Sequence, residues 1–265
     1  MRPLLNAWVC TVYAFMYLPV AVIVLFSFNN SEMIAFPLQG ATLTWYGQVL
    51  GDARLLGGLG MTFLIAIPTA VLATILGGAS ALALTRYRFR GQAAFVALLF
   101  LPFAIPKVIL AVSWLLVLAE LGVAKGLATM VVAQTIIILP FTTMVIASVL
   151  VRLDRALEEA AADLGATTLQ TFARVLLPLA RNGLIAAFFV AFVLSASEYV
   201  VTSFVSGRNQ PLSILVASDF RFHLSPTLDA LATLLVVANL GIVAASELIR
   251  WRARGRAGGR QGLRP

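Results

Sequence analysis

Charged residues are scarce in this sequence, and cysteine and histidine are almost missing. Asp, Glu, Lys and Arg make up 11% of its 265 residues and hydrophobic residues 61%, whereas soluble domains carry about 25% charged residues. The composition therefore excludes an ordinary soluble domain. The only cysteine, Cys10, cannot form a disulfide within the chain, and together with the only histidine, His223, it provides no Cys/His cluster for a metal ion. We expect no metal site.

Motifs that carry chemistry are missing as well. The sequence has no Gly-x-x-x-x-Gly-Lys-Ser/Thr phosphate loop, so it cannot hydrolyse ATP in the P-loop manner. It also has no metalloprotease or serine-hydrolase signature. An integral-membrane enzyme acting on lipid remains as a remote alternative, but it would need clustered Asp, His or Cys at a membrane face. We therefore predict a chain that is not an enzyme, has no catalytic residues and binds no cofactor itself.

Long apolar runs dominate the sequence instead. About 20 helical residues cross a hydrocarbon core of about 30 Å, and lipid offers no hydrogen bonds to an unpaired backbone, so such runs must be helices. These runs lie at about 9–28, 60–83, 94–118, 127–150, 183–205 and 228–249. The sequence thus predicts an all-α polytopic membrane protein with six transmembrane helices in a single domain over 1–265.

The basic residues predict the orientation of these spans. With the N-terminus in the cytoplasm, fourteen of the nineteen Lys and Arg residues fall on the cytoplasmic side, in keeping with the excess of positive charge that cytoplasmic loops carry. Both termini are then cytoplasmic, and the net charge of +8 reports topology rather than a nucleic-acid partner. The basic tail 251–265 has almost nothing to bury, so we expect it to be disordered at the membrane surface.

Residues 151–182, called the EAA segment below, form a polar stretch between the fourth and fifth runs. Apolar residues recur at helical spacing over 153–164. Gly165 follows, a residue that tolerates positive φ because it has no Cβ, and Thr167 or Thr168 can cap a second helix. The pattern predicts a helix, a sharp turn and a second helix. It fits either an amphipathic connector or a docking surface for a soluble partner.

Two ionisable residues fall inside predicted spans. Lys107 in the third run and Glu198 in the fifth lie at similar depths, so they could face each other. Charges in a membrane are costly and usually paired or exposed to a wet cavity, which fits either a solute path or a structural ion pair. The other residues that we place along such a path are Trp114, Gln134, Ser195, Tyr199 and Thr202. The arginines between the second and third runs, Arg86, Arg88 and Arg90, are expected at anionic lipid headgroups.

A family resemblance rests on the EAA segment. Glu159-Ala160-Ala161 is followed by Gly165 and then by Val175-Leu176-Leu177-Pro178, which resembles the EAA loop of binding-protein-dependent ABC importer permeases. Only Val175 departs from the usual pattern. With the sequences at 86–91, 203–207 and 231–234, the chain resembles the second permease subunit of spermidine/putrescine-type importers from about residue 10 to 250.

The resemblance implies a type I ABC importer permease, or MetI-like, fold in a bacterial inner membrane. It also implies partners: a homologous permease in a heterodimer, two cytoplasmic ATPase subunits that bind ATP and Mg²⁺, and a periplasmic solute-binding protein. In such a permease the EAA loop docks on the ATPase and transmits its movement. The resemblance implies this coupling role for the matching positions here, which are Glu159, Ala160, Ala161, Asp163, Gly165, Leu177 and Pro178.

The same resemblance implies a polyamine-like or related small amine as cargo. The polyamine branch tends to carry acidic residues at the positions of Lys107 and Ser197–Glu198, whereas here only Glu198 is acidic. Two interpretations stay open. Glu198 neutralises Lys107 and leaves an amine path, or the pair receives a zwitterionic or anionic cargo such as an amino acid derivative or an aminophosphonate.

Overall fold

The computed structural model describes residues 2–32, 35–222 and 225–237, and helices dominate these ranges. They are α1 (Arg2–Ser27), α2 (Thr44–Gly51), α3 (Ala53–Arg86), α4 (Gln92–Ala104), α5 (Lys107–Glu120), α6 (Leu127–Leu150), α7 (Ala156–Asp163), α8 (Thr168–Thr171), a π-helical turn (Phe172–Leu176), α9 (Leu177–Ala196), α10 (Val200–Val205), α11 (Leu212–Phe222) and α12 (Pro226–Val237). The prediction of an all-α chain is confirmed.

Several of these helices are long and apolar enough to cross a membrane. Four of the described segments qualify on their own: Leu4–Ser27, Ala53–Arg86, Leu127–Leu150 and Thr168–Ala196. The bent pair α4 and α5 makes a fifth candidate. The predicted sixth run, 228–249, begins within α12, and its remainder lies outside the described residues, as does the tail 251–265. The chain is thus polytopic, and the count of six is compatible with the helices described.

The chain divides into two compact units, of which the larger comprises 57–217 and the other comprises residues up to 56 together with those from 218 onward. In the latter unit, side chains fasten the end of α1 to the segment that follows it. The Ser27 hydroxyl and the Tyr46 hydroxyl lie 2.6 Å apart, and the indole of Trp45 donates to the Asn29 carbonyl at 2.8 Å. Arg54 also pairs with Asp219 there. The prediction of a single domain stays a prediction.

Helix α6 forms the centre of the larger unit. It packs against α4, α9 and α10, and its buried residues contact apolar side chains of α3 and α5 as well. At one crossing the Thr142 hydroxyl donates to the Ala73 carbonyl at 2.8 Å, and a Cβ added to Gly77 would collide with the Thr142 side chain. Small residues let helix backbones approach closely in membranes, so Gly77 fixes how near α3 lies to α6.

Two of the predicted spans differ from continuous helices. Where one helix is predicted over 94–118, α4 and α5 meet at a bend of 102°. Ile105 between them is extended because the residue before a proline avoids the helical conformation, and Pro106 lacks the N–H that would continue the helix. Where one helix is predicted over 183–205, α9 ends at Ala196 and α10 begins at Val200.

Candidate functional site

The EAA segment has the helix, turn and helix that its sequence predicts. The first helix, α7, starts at Ala156 rather than at 153, because a turn at 151–152 and a bend at 153 follow the end of α6. Gly165 turns the chain with φ of 82°. The Thr167 hydroxyl then accepts a hydrogen bond from the Gln170 N–H at 3.3 Å, and the Gln170 side chain accepts one from the Thr167 N–H at 2.9 Å. This capping box starts α8.

A π-helical turn joins α8 to α9, and sequence periodicity did not predict it. Pro178 has no N–H to donate to the carbonyl four residues earlier, and in this turn the Leu177 N–H bonds the Phe172 carbonyl instead, five residues back. A π-helical turn holds one residue more than an α-helical turn, so the residues after it are rotated about the helix axis. Leu176 is buried, while Leu169 and Leu179, which helical spacing in the sequence would place on the same face, are exposed.

Most coupling positions lie at the surface of the larger unit. Glu159, Ala160 and Asp163 on α7 are exposed, as are Gly165, Leu177 and Pro178, and Ala161 is half-buried. Beside them the side chain of Leu164 is 89% exposed. An exposed leucine next to a run of small residues leaves an apolar surface free for a partner. The coupling role of these positions stays a prediction.

The two ionisable residues of the predicted spans form an ion pair. The Lys107 Nζ donates to the Glu198 Oε2 at 2.7 Å. Lys107 is the first residue of α5, directly after the Pro106 break, and Glu198 lies in the link between α9 and α10. A cation at a helix N-terminus is disfavoured by the helix dipole, so the carboxylate compensates for the position of this lysine.

Both carboxylate oxygens of Glu198 and its backbone carbonyl have partners. Its side chain is 7% exposed, against 55% for that of Lys107. Its second carboxylate oxygen, Oε1, accepts a hydrogen bond from the Val201 N–H at 3.2 Å, and its carbonyl accepts one from the Ser213 hydroxyl at 3.1 Å. Buried carboxylates need such partners because the interior offers no water. The pair thus has one fixed member, Glu198, and one that reaches solvent, Lys107.

Gln134 joins three helices next to this pair. Its amide nitrogen donates to the Thr202 hydroxyl at 2.7 Å, and its amide oxygen accepts from the Ser195 hydroxyl. All three side chains are buried. The structure therefore brings together the predicted polar residues of α6, α9 and α10, which are buried and hydrogen-bonded to one another. Their assignment to a solute path stays a prediction.

Trp114 and Tyr199, the other two residues predicted along the path, lie away from the ion-pair cavity. Trp114 is partly buried and packs against the apolar cluster that contains Met130 and Val201. Tyr199 is half-buried and immediately precedes α10. Neither lines the cavity next to Lys107 and Glu198. Their assignment to a solute path stays a prediction, without a contact to that cavity.

The cavity beside the ion pair has a volume of about 200 Å³. It is lined in part by residues that the sequence did not predict at a site. Its lining comprises Lys107, Glu198, Ser197 and the apolar residues Pro102, Phe103, Ile105, Ile137, Ile138, Phe141 and Leu194. The rings of Phe103 and Phe141 pack edge to face with centroids 5.5 Å apart. The signal in the sequence was their proximity to Pro106 and Pro140. The site offers a carboxylate, an ammonium group and aromatic rings within one cavity.

Comparison with known proteins places these features in a family. The family model described as the binding-protein-dependent transport system inner membrane component matches residues 73–251. The spermidine/putrescine transport system permease protein PotC of Haemophilus influenzae is 34% identical over 245 residues, which cover 92% of this chain and 95% of that protein. The putrescine transport system permease protein PotI of Escherichia coli K12 is 36% identical over 253 residues, which cover 92% and 88%.

Solved structures agree on the fold. A bacterial ABC transporter involved in the import of alginate matches with a TM-score of 0.67 at 16% identity, over 94% of this chain and 95% of its own. The methionine ABC transporter MetNI matches with a TM-score of 0.58 at 21% identity, over 79% and 98%. The family model, the relatives and the fold together show that this chain belongs to the binding-protein-dependent transport system inner membrane components, the multi-pass permeases of type I ABC importers.

Proposed function

We propose that this permease works in an ATP-driven importer and forms half of the path for a polyamine-like or related small amine. Its partners are a homologous permease, two cytoplasmic ATPase subunits that bind ATP and Mg²⁺, and a periplasmic solute-binding protein that delivers the cargo. Both termini lie in the cytoplasm, in keeping with the distribution of arginine. The observation that carries the proposal is the exposed EAA segment with its Gly165 turn.

The exposed face of α7 is the proposed docking surface for the ATPase. Glu159 and Asp163 supply charge, Ala160 supplies a close approach, and Leu164 supplies an apolar contact. A partner that covers Leu164 removes its apolar surface from water, which favours association. The sequence has no phosphate loop, so the energy for transport comes from that partner.

Helical continuity supports transmission from this surface to the ion pair. The residues from Thr168 to Ala196 form one helical segment, which begins just after the Gly165 turn and ends next to Glu198. A rigid element that is displaced at one end moves at the other. When the ATPase subunits close on ATP, α7 carries this segment with it, and the break that holds Glu198 shifts relative to Lys107.

The chemistry of the cavity supports an amine as cargo. Glu198 is an anchored carboxylate that accepts an ammonium group already, that of Lys107, at 2.7 Å. An alkylammonium cargo presents the same group to the same oxygen, and the rings of Phe103 and Phe141 favour a cation nearby. The relatives PotC and PotI, which are named for spermidine and putrescine transport, support the same class of solute.

A second class of cargo is supported by Lys107. Its side chain is 55% exposed and lines the cavity, so a carboxylate or phosphonate can reach the ammonium group. A zwitterionic or anionic solute would then contact both members of the ion pair. This candidate differs from the first in requiring Lys107 for uptake.

Reconstitution tests the proposal. The complex of this chain with its permease, ATPase and binding-protein partners is placed in vesicles, and uptake of labelled spermidine and putrescine is followed with and without ATP. We expect ATP-dependent uptake and an ATPase rate that rises with loaded binding protein. A complex whose ATPase ignores the loaded binding protein contradicts a transport role. Identification of the ligand that copurifies with the binding protein decides between the two classes of cargo.

A further inference from the structure

Two arginines tie α7 to the C-terminal end of α3. The Nε of Arg86 lies 2.7 Å from the Oε1 of Glu158, an ion pair that is close without being aligned as a hydrogen bond. The Nη2 of Arg86 also donates to the Leu153 carbonyl at 3.1 Å. The Arg86 side chain is only 8% exposed, so its charge depends on these partners.

The second arginine reaches in the opposite direction. Arg155, which immediately precedes α7, donates from its Nη2 to the Thr85 carbonyl at 2.8 Å and lies 3.5 Å from the Arg86 carbonyl. Carbonyls in the last turn of a helix lack partners within the helix, and a cation there is favoured by the helix dipole. We call Arg86, Arg155 and Glu158, with the Leu153 and Thr85 carbonyls, the arginine clasp.

The clasp separates residues that the sequence grouped together. Arg86 was expected at lipid headgroups with Arg88 and Arg90, but it is buried in the clasp, whereas the other two are exposed. On α7, Glu158 points into the clasp and its neighbour Glu159 is exposed. One face of α7 is thus tied to this chain and the other is free for a partner.

Side-chain packing between α3 and α7 is incomplete. A cavity of about 210 Å³ lies between them, and Arg86, Glu158, Ala162, Thr168 and Phe172 are among the residues that line it. Side chains that line an empty space lack the van der Waals contacts that tight packing would supply. The polar links of the clasp therefore carry much of the connection between the two helices.

We propose that the arginine clasp makes α3 a second element that follows α7, so that displacement of α7 by the ATPase moves α3 as well as α9. Arg86, Arg155 and Glu158 are then positioning residues for coupling. Helix α3 runs from the clasp past Gly77, its close contact with α6, so the movement reaches the central helix from two sides. The inference rests on the proposed docking role of α7.

Transport coupling in the reconstituted complex tests the clasp. The variants are Arg86→Gln, Glu158→Gln and the double variant, with Arg90→Gln as the matched control because Arg90 is an exposed arginine in the link that follows α3. Each is assayed for copurification of the subunits, basal ATPase rate and solute taken up per ATP hydrolysed. We expect normal assembly and basal rate but a fall in uptake per ATP of about tenfold for each single variant, within the usual range of coupling between sites.

The double variant distinguishes a shared role from two separate ones. If Arg86 and Glu158 act through their contact, the double variant is no worse than either single variant, and Arg90→Gln behaves as wild type. Should Arg86→Gln fail to assemble, Arg155→Gln replaces it, since that change removes the links to Thr85 and Arg86 but leaves the buried pair in place. We expect Arg155→Gln to lower uptake per ATP by a smaller factor.

Two results would contradict the proposed coupling role of the arginine clasp. One is normal uptake per ATP in the assembled clasp variants while Gly165→Pro abolishes uptake, which leaves the proposed function standing. The other is a loss of basal ATPase and uptake in equal proportion to the loss of assembled complex, which assigns the clasp to folding alone. If the wild-type complex shows no ATP-dependent uptake, the proposed function itself fails and the clasp fails with it.

Discussion

Lys107 and Glu198 meet where two predicted membrane spans are each broken, with Nζ 2.7 Å from Oε2. One residue begins α5 after the 102° bend and the other lies between α9 and α10. Each break interrupts the hydrogen bonds of a helix, and the cavity of about 200 Å³ is lined by residues from both breaks. An ion pair at two breaks is well placed to change when the helices on either side move.

Removal of the carboxylate tests the contact with cargo. We expect Glu198→Gln to lower amine uptake by about tenfold or more, since a hydrogen bond to a charged group is worth about 1.5–3 kcal/mol. Uptake kinetics of the reconstituted complex measure this fall in amine uptake. Glu120→Gln, an exposed glutamate at the end of α5, is the control and should leave uptake unchanged. Unaltered spermidine and putrescine uptake in Glu198→Gln would contradict the amine path.

Removal of the lysine separates the two classes of cargo. In Lys107→Met the carboxylate of Glu198 loses its partner, so an amine cargo becomes the preferred cation and the half-saturation concentration for uptake should stay the same or fall. With a zwitterionic or anionic cargo the same variant loses a binding group, and uptake should fall about tenfold or more. Competition between labelled spermidine and unlabelled amino acid derivatives reads out the difference.

Gln134 is predicted to stabilise the helix assembly rather than to bind solute. Gln134→Leu removes its bonds to Ser195 and Thr202 and leaves two buried hydroxyls without that partner. The expected loss is about 1–2 kcal/mol of unfolding free energy, seen as a lower midpoint in thermal unfolding of the purified protein. Ser113→Ala is the control, because that exposed hydroxyl bonds only within its own helix, to Ile109. A cargo-specific loss of uptake at unchanged stability would argue for a solute contact instead.

Two glycines of α3 form a matched pair for helix packing. In Gly77→Ala the new methyl group collides with Thr142, whereas Gly60→Ala meets no atom within 4 Å. We expect Gly77→Ala to destabilise the protein by about 1–3 kcal/mol and Gly60→Ala to be neutral or slightly stabilising. Thermal unfolding of the two variants side by side measures this. Equal stabilities would mean that α3 and α6 do not approach closely at Gly77.

The turn at Gly165 is predicted to affect coupling more than assembly. Its φ of 82° costs an alanine about 1–2 kcal/mol, and Gly165→Pro excludes it altogether. Either change redirects α7, so uptake should fall sharply in Gly165→Ala and vanish in Gly165→Pro and in Glu159→Lys, while the binding protein still binds cargo. Gly91→Ala carries similar strain, φ 87°, in a different loop and should keep its uptake. Normal uptake in Gly165→Pro would contradict the proposed coupling role of α7.

The local structure of the EAA segment was predictable because short-range chemistry specifies it. Thr167 is three residues before Gln170 and forms the capping box, and Gly165 adopts the positive φ that suits it. The π-helical turn was not predictable from apolar spacing, since periodicity assumes a uniform helix and the missing N–H of Pro178 disturbs it. Arg86 was misassigned for a related reason, because its neighbours in sequence are exposed while its partner Glu158 is distant along the chain.

The sequence by itself determined that this chain is helical, spans a membrane and belongs to a transport family, because apolar composition, span length and the EAA spacing are local properties. It also indicated that Lys107 and Glu198 need partners, since charge is costly in lipid. Only the tertiary structure decided that they pair at two helix breaks, that Phe103 and Phe141 complete their cavity and that α7 is clasped to α3. These contacts join residues far apart in the chain, and their geometry follows from how the helices bend and pack.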